Sequence, residues 1–211
     1  MAAVTVDELV VADPPELWEE LGFQISDDCC DIGSVRVRLD SRAGKRVARW
    51  SLRGAASDDL DGLPTTISSS EGRPAAAPHP NGVVAIDHVV AFSPDLDRTV
   101  AKLQAAGLDL RRIREQPTPA GAPRQAFFRL GGVILECVQL PDSPELDRSR
   151  SARLWGLALR TPDIEETARY LGGRLGEPRP AVQDGRTIAT LRRDAGSSVP
   201  LAFMTPPTAG A

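Results

Sequence analysis

The sequence predicts an α+β fold built from a repeated strand–helix–strand–strand unit, and three observations predict it. Three segments open alike, with a short apolar strand, a polar residue followed by proline, and then a short amphipathic helix. Each helix meets a glycine stop, at Gly22, Gly107 and Gly172. Paired β-type stretches follow each helix, joined by short loops that suit hairpins. One such match carries little; three in register carry the assignment.

The first unit opens on Asp7-Glu8-Leu9-Val10-Val11-Ala12, followed by Asp13-Pro14. The second opens on Asp87-His88-Val89-Val90-Ala91-Phe92, followed by Ser93-Pro94, and the third on Trp155-Gly156-Leu157-Ala158-Leu159-Arg160, followed by Thr161-Pro162. Asp, Ser or Thr can accept the first free helical amides, and proline sits where no donor is lost. Apolar residues then recur at helical spacing: Leu17, Trp18 and Leu21; Leu96, Val100 and Leu103; Ile164, Ala168 and Leu171. The paired β stretches are expected at 34–39 and 46–52, at 125–130 and 133–140, and at 186–192 and 199–204, with one further strand per unit unplaced. The stretch 63–82 is rich in Pro, Ser, Thr and Ala and reads as a linker or long surface loop. A second polar break falls at 141–151, and the tail 205–211 reads as frayed. The organisation is therefore a degenerate N-terminal module at 1–54, a linker or loop at 55–82, a central module at 83–141 and a C-terminal module at 152–205.

Bulk properties exclude several classes. A formal net charge of −4 gives no basic face for nucleic acid. No apolar run approaches the roughly 20 residues of a membrane span. The acidic start, with Asp7 and Glu8, does not resemble a secretory signal, so the expected location is cytoplasmic. Three cysteines without a C-x-x-C pair predict free thiols in a reducing compartment, not a disulfide framework or a thiolate zinc site. Walker-type and Rossmann-type glycine patterns and a Gly-x-Ser-x-Gly elbow are absent from the sequence.

A tandem β-α-β-β-β unit is the module of the vicinal oxygen chelate superfamily (glyoxalase, bleomycin resistance protein, dioxygenase), and this sequence resembles it. Ile86-Asp87-His88-Val89-Val90 with Ser93-Pro94-Asp95-Leu96 looks like the module's opening strand and helix. Gly132-Val133-Ile134-Leu135-Glu136-Cys137-Val138 looks like its closing strand. The resemblance is good over 82–140, fair over 154–204 and weakest over the first 54 residues. It implies curled mixed sheets around a cup, where a divalent metal is held by a His and a Glu from opening and closing strands. His88 stands six residues before Pro94; the same offset gives Glu8 before Pro14 and Gly156 before Pro162. On the closing strands, Glu136 matches the carboxylate position, with Trp50 and Ala202 as its counterparts in the other units.

The resemblance thus implies a metal site between units one and two, from His88, Glu136 and Glu8, with Glu136 as the catalytic carboxylate. Fe, Mn or Zn suits such a mixed N/O set. A glyoxalase I site needs two more ligands, and the third unit offers none. The opposing reading is a packed, hydrogen-bonded His88 and a Glu136 paired with Arg124. On the substrate side, Arg124, Gln125 and one of Phe127 and Phe128 are candidate contacts, with Trp50 and Trp155 as an apolar wall. Otherwise the inward Phe is core and the Arg is solvated.

Three readings remain open: a metal-dependent lyase, isomerase or dioxygenase acting on a vicinal-oxygen substrate, a metal-free protein that sequesters a ligand as bleomycin-resistance proteins do, and a structural or regulatory relic whose modules only mediate association. The partner in the first two cases is a small molecule. An odd number of modules predicts a homodimer.

Overall fold

A computed structural model describes residues 3–117 and 121–207, so 208–211 of the expected tail lie outside the described residues. The first unit comprises β1 (Thr5–Val11), the short helix α1 (Pro15–Glu20), and a hairpin of β2 (Cys29–Ile32) and β3 (Val35–Leu39). Two further strands, β4 (Val47–Arg53) and β5 (Thr65–Ser68), complete a five-stranded sheet in the order β2-β3-β1-β4-β5. The second unit comprises β6 (Ala85–Ser93), α2 (Leu96–Ala105), β7 (Asp109–Arg114), β8 (Gln125–Leu130) and β9 (Val133–Gln139). The third comprises β10 (Arg153–Arg160), α3 (Ile164–Leu171), β11 (Arg179–Pro180), β12 (Thr187–Thr190) and β13 (Leu201–Met204). Units two and three share one eight-stranded sheet, β11-β12-β13-β10-β6-β9-β8-β7, joined where β6 runs antiparallel to β10. This is the expected α+β architecture of curled mixed sheets. No helix among the described residues is long and apolar enough to cross a membrane.

Every opening strand is paired with a parallel closing strand: β1 with β3, β6 with β9, β10 with β13, and also β4 with β5. The opening strands join two by two and antiparallel, β1 with β4 and β6 with β10. The stretch 46–52 is therefore not the second half of a hairpin with 34–39, as the sequence suggested. It crosses to the far side of β1, and the strand Thr65–Ser68, within the segment read as linker, pairs with it. The true hairpin turns at Gly33-Ser34, where Gly33 takes φ 61°. Its first strand, Cys29-Cys30-Asp31-Ile32, lacks a run of β-branched residues and so gave no strand signal. Since β4 serves as the partner of β1 within the chain, the packing ground for a second subunit falls away.

The glycine stops are as read, with Gly22, Gly107 and Gly172 all at positive φ. The caps differ. The side chains of Asp95 and Asp163, one residue after each proline, accept from the amides of Arg98 and Glu166. Ser93 and Thr161 instead bond the helix hydroxyls Thr99 and Thr167, at 2.7 and 2.8 Å. Helix α1 has no side-chain cap; Asp13 accepts from the Trp18 indole and from Ser197 and Ser198.

One continuous apolar cluster runs through both sheets, with Trp18, Trp50, Phe128 and Phe203 among its largest members. The antiparallel junctions carry bulges at matching places. Asp7 and Ala48 are the extra residues of β1·β4, and Asp87 and Trp155 those of β6·β10. A bulge re-aims the side chain it adds, and that is what places two aspartates in the clusters described next.

Candidate functional site

On β6, His88 shares a face with Val90 and Phe92, all partly accessible, while Val89 and Ala91 face the core. The parallel ladder sets His88 against Ile134 and Val90 against Glu136 on β9. Strand alternation keeps Ile134 and Glu136 on that same face. His88 Nε2 and Glu136 Oε2 thereby meet at 3.4 Å, with both side chains mostly buried. The other Glu136 oxygen accepts from the Gln125 amide on β8.

Behind the imidazole, Asp87 lies 3.1 Å from His88 Nδ1. The bulge turns this carboxylate toward Arg160 and Arg186, whose nitrogens approach it at 3.1 and 2.7 Å. Burial alone would raise the Asp87 pKa, but hydrogen bonds from His88 and Arg186 prevail and hold it well below the usual carboxylate range. Asp87, His88 and Glu136 thus line up as carboxylate, imidazole and carboxylate beside a small cavity.

That cavity has a volume of about 220 Å³, bounded by His88, Glu136, Phe127, Ile134 and Arg112. The Arg112 guanidinium lies over the Phe127 ring, 5.0 Å from its centroid. It has no carboxylate partner among the described residues. Asp87, Arg160, Arg186 and Arg112 are not singled out by the sequence as site residues, whereas Phe127 is one of the two phenylalanines it offers. Of those four, only Asp87 carried a local signal, a carboxylate beside the His of an otherwise apolar strand.

His88, Glu136 and Gln125 are brought together. Glu8 is not with them: it lies in the five-stranded sheet, paired with Arg38 at 3.2 Å. The sharing of one sheet by units two and three also moves the candidate site away from the expected boundary between units one and two. Arg124 is held outside by Glu115 and Asp97, so it is not the partner of Glu136. Phe128 is fully buried in the core, whereas Phe127 faces the cavity. Trp50 is buried on β4, its indole donating to Thr65, and the closing strand it was aligned with is in fact β3. Trp155 packs edge-on against Phe92, with centroids 5.0 Å apart. His79, in the Pro-rich segment, is buried: its Nδ1 accepts from the Gln24 amide and its Nε2 faces the Asp31 carbonyl. All three cysteines are free, and burial pushes the Cys30 thiol up to about 12.

A divalent metal can be tested against these donors. The opening-strand and closing-strand positions of the third unit are Gly156 and Ala202, which offer no donor atom. A Cβ at Gly156 would stand 2.6 Å from the Pro200 carbonyl oxygen, so no ligand side chain fits there. Asp87 is engaged by two arginines. Among the described residues no group of three or more His, Cys, Asp or Glu is placed to hold a metal ion. Catalytic metal centres generally take at least three protein ligands; His88 and Glu136 supply two. The His, Cys, Asp and Glu side chains among the described residues do not by themselves make a resident divalent-metal site; the buried, unpartnered Oε1 of Gln125 beside Glu136 is a further oxygen donor.

The five-stranded sheet holds a matching cluster at its own bulge, where Asp7 is bonded by Arg53, Arg73, Ser68 and Ser70. Burial would raise the Asp7 pKa, but these hydrogen bonds bring it down to about 2. Both aspartates therefore titrate below their unfolded value of about 3.9. Their contribution to stability is complete above pH ~4 and is lost as the pH falls through the folded values. The urea midpoint is expected to hold between pH 7 and 5 and to fall between pH ~4 and ~2. Asp7→Asn should flatten that fall; an equally steep fall in the variant would show that Asp7 is not its source.

No protein-family model matches this sequence, and no curated protein matches it. Among solved structures, a xylose isomerase-like TIM barrel/4-hydroxyphenylpyruvate dioxygenase fusion protein is similar over 100% of this chain, with a TM-score of 0.63 and 12% identity. This chain covers 50% of that one. Methylmalonyl-CoA epimerase from Mycobacterium tuberculosis matches over 60% of this chain and 90% of its own, with 18% identity and a TM-score of 0.48. A Streptomyces coelicolor methylmalonyl-CoA epimerase variant matches over 61% and 99%, with 21% identity and a TM-score of 0.48. At such identities the full-length likeness establishes architecture, and by architecture this chain has the vicinal oxygen chelate fold.

Proposed function

We propose that the protein binds a small, oxygen-rich anion in the cup of the eight-stranded sheet, using its own side chains and no resident metal. The observation that carries this reading is the His88–Glu136 contact at 3.4 Å, beside an Arg112 with no carboxylate partner among the described residues. Arg112 presents a planar fork suited to a carboxylate. His88 and Glu136 can hydrogen-bond a ligand's oxygen-bearing groups, and Asp87 keeps the imidazole oriented toward the cavity. The cavity is smaller than the ~300–1,000 Å³ of drug-sized sites, which favours a small metabolite. The metal-dependent lyase or dioxygenase reading has no third His, Cys, Asp or Glu donor among the described residues and would have to draw on the unpartnered Gln125 Oε1.

The test combines metal analysis of protein purified without chelators with a thermal-shift screen of small carboxylates. A ligand at a hundredfold excess over its Kd should add about 2.7 kcal/mol of stability, or roughly 5–10 °C for a chain of this length. Arg112→Gln and His88→Ala should each remove that shift. Stoichiometric metal that is lost in the His88→Ala/Glu136→Ala double variant would reverse the conclusion in favour of the metal-dependent enzyme.

A further inference from the structure

The five-stranded sheet repeats the framework of the cup with its charges exchanged. In the β1·β3 ladder Val10 stands against Arg38, as Val90 stands against Glu136 in β6·β9. Glu8 stands against Arg36, as His88 stands against Ile134. In the hairpins, Cys29 faces Arg38 as Phe127 faces Glu136. Cys29, Arg36 and Arg38 thus occupy the places of Phe127, Ile134 and Glu136, and Glu8 that of His88. The Glu8–Arg38 pair at 3.2 Å is the counterpart of the His88–Glu136 pair.

A cavity of about 410 Å³ opens on this face, nearly twice the volume of the first, with Cys29, Arg36, Arg38, Ser26 and Asp27 in its wall. Both arginines are engaged side-on. Arg36 uses Nε and Nη2 on Asp31, at 3.0 and 3.1 Å, and Arg38 uses the same two nitrogens on Glu8, at 3.3 and 3.2 Å. The Nη1 edge of each guanidinium has no acceptor among the described residues. The two residues alternate on one strand, so their Cα atoms lie roughly 7 Å apart on the same face. Asp27 is exposed and has no ion-pair partner among the described residues. Asp27 and Asp28 take φ of 52° and 58°, a backbone state that a short Asp or Asn side chain tolerates better than most.

The cavity wall therefore includes guanidinium edges and an Asp27 carboxylate without ion-pair partners among the described residues, while its remaining carboxylate, Asp31, is paired with Arg36. The geometry points to a second ligand site, distinct from the cup, that takes a small zwitterion carrying both a carboxylate and an ammonium group, as α-amino acids do. The ligand carboxylate accepts from the Nη1 edges of Arg36 and Arg38, and its ammonium donates to Asp27. A simple carboxylate leaves Asp27 unmatched, and a simple amine leaves both arginine edges unmatched.

Cys29 lies in the cavity wall and reports occupancy, since Cys30 and Cys137 are buried. The full-length protein is alkylated with N-ethylmaleimide, with or without each common amino acid, the matching des-amino acids and the matching amines. At least one amino acid is expected to slow Cys29 alkylation and to bind by calorimetry, with its des-amino and amine analogues about tenfold weaker or worse. Asp27→Asn keeps the backbone conformation accessible and should weaken binding by about tenfold, as should Arg38→Lys, which retains charge but loses the fork. His88→Ala should leave this binding unchanged, which separates it from binding in the cup. No protection by any amino acid at millimolar concentration would overturn the proposal, as would binding that survives both Asp27→Asn and Arg38→Lys.

Discussion

Asp87→Ala is expected to destabilise the protein by about 3–5 kcal/mol, the range found when one member of a buried ion pair is removed. Asp87 is 5% exposed, and the side chain of Arg186 is 7% exposed, so the guanidinium left behind has no easy route to water. Arg160 and His88 lose the same partner. In urea the midpoint should fall with little change in slope, and the melting temperature should drop by roughly 10 °C. Asp87→Asn retains an acceptor and should fall between wild type and alanine. A loss below about 1 kcal/mol would place Asp87 with ordinary surface pairs and would remove the argument that it anchors His88.

Phe128→Ala is the second large effect, with an expected loss of about 3–5 kcal/mol for a fully buried aromatic side chain. Its neighbour behaves differently. Phe127 faces the cavity beneath Arg112, so Phe127→Ala should cost stability only on the order of 1 kcal/mol, from a partly exposed cation–π contact. It should instead reduce the thermal shift produced by a ligand in the cup. Equal losses of stability in the two variants would mean that Phe127 also belongs to the core.

What the sequence made legible was the part governed by local rules. Strand, proline, helix and glycine stop recur in every unit, and the structure has each of them. The offset of six residues before proline put His88 on the accessible face of its strand, and the lone carboxylate in Val-Ile-Leu-Glu-Cys-Val marked Glu136. The pairing of these two was readable because both sit at set places in one repeated unit. What was not legible was governed by contacts distant in sequence. Arg186 reaches Asp87 across 99 residues, and Arg112 comes from a strand the sequence did not place. The choice between Phe127 and Phe128 turns on which strand face meets the core, and a Phe-Phe pair does not announce it. Glu8 and Trp50 were misplaced for a related reason. Trp50 lies on 46–52, which is the partner of β1 and not its closing strand, and Glu8 is away from the site because units two and three, not one and two, share the site's sheet.

The contact between Gly156 and the Pro200 carbonyl also limits how this protein can change. In a fold whose strand ends accept donor atoms, a gain of metal dependence is usually imagined as the arrival of one more histidine. Here the most symmetrical position for it is sealed by main chain, and a main-chain oxygen cannot be moved aside by choosing another rotamer. A descendant of this chain that acquired a metal would have to begin at Ala202, which is only partly buried, or shift the main chain at Pro200, just before β13. A route to a four-ligand centre at this position is blocked by architecture before it is blocked by chemistry.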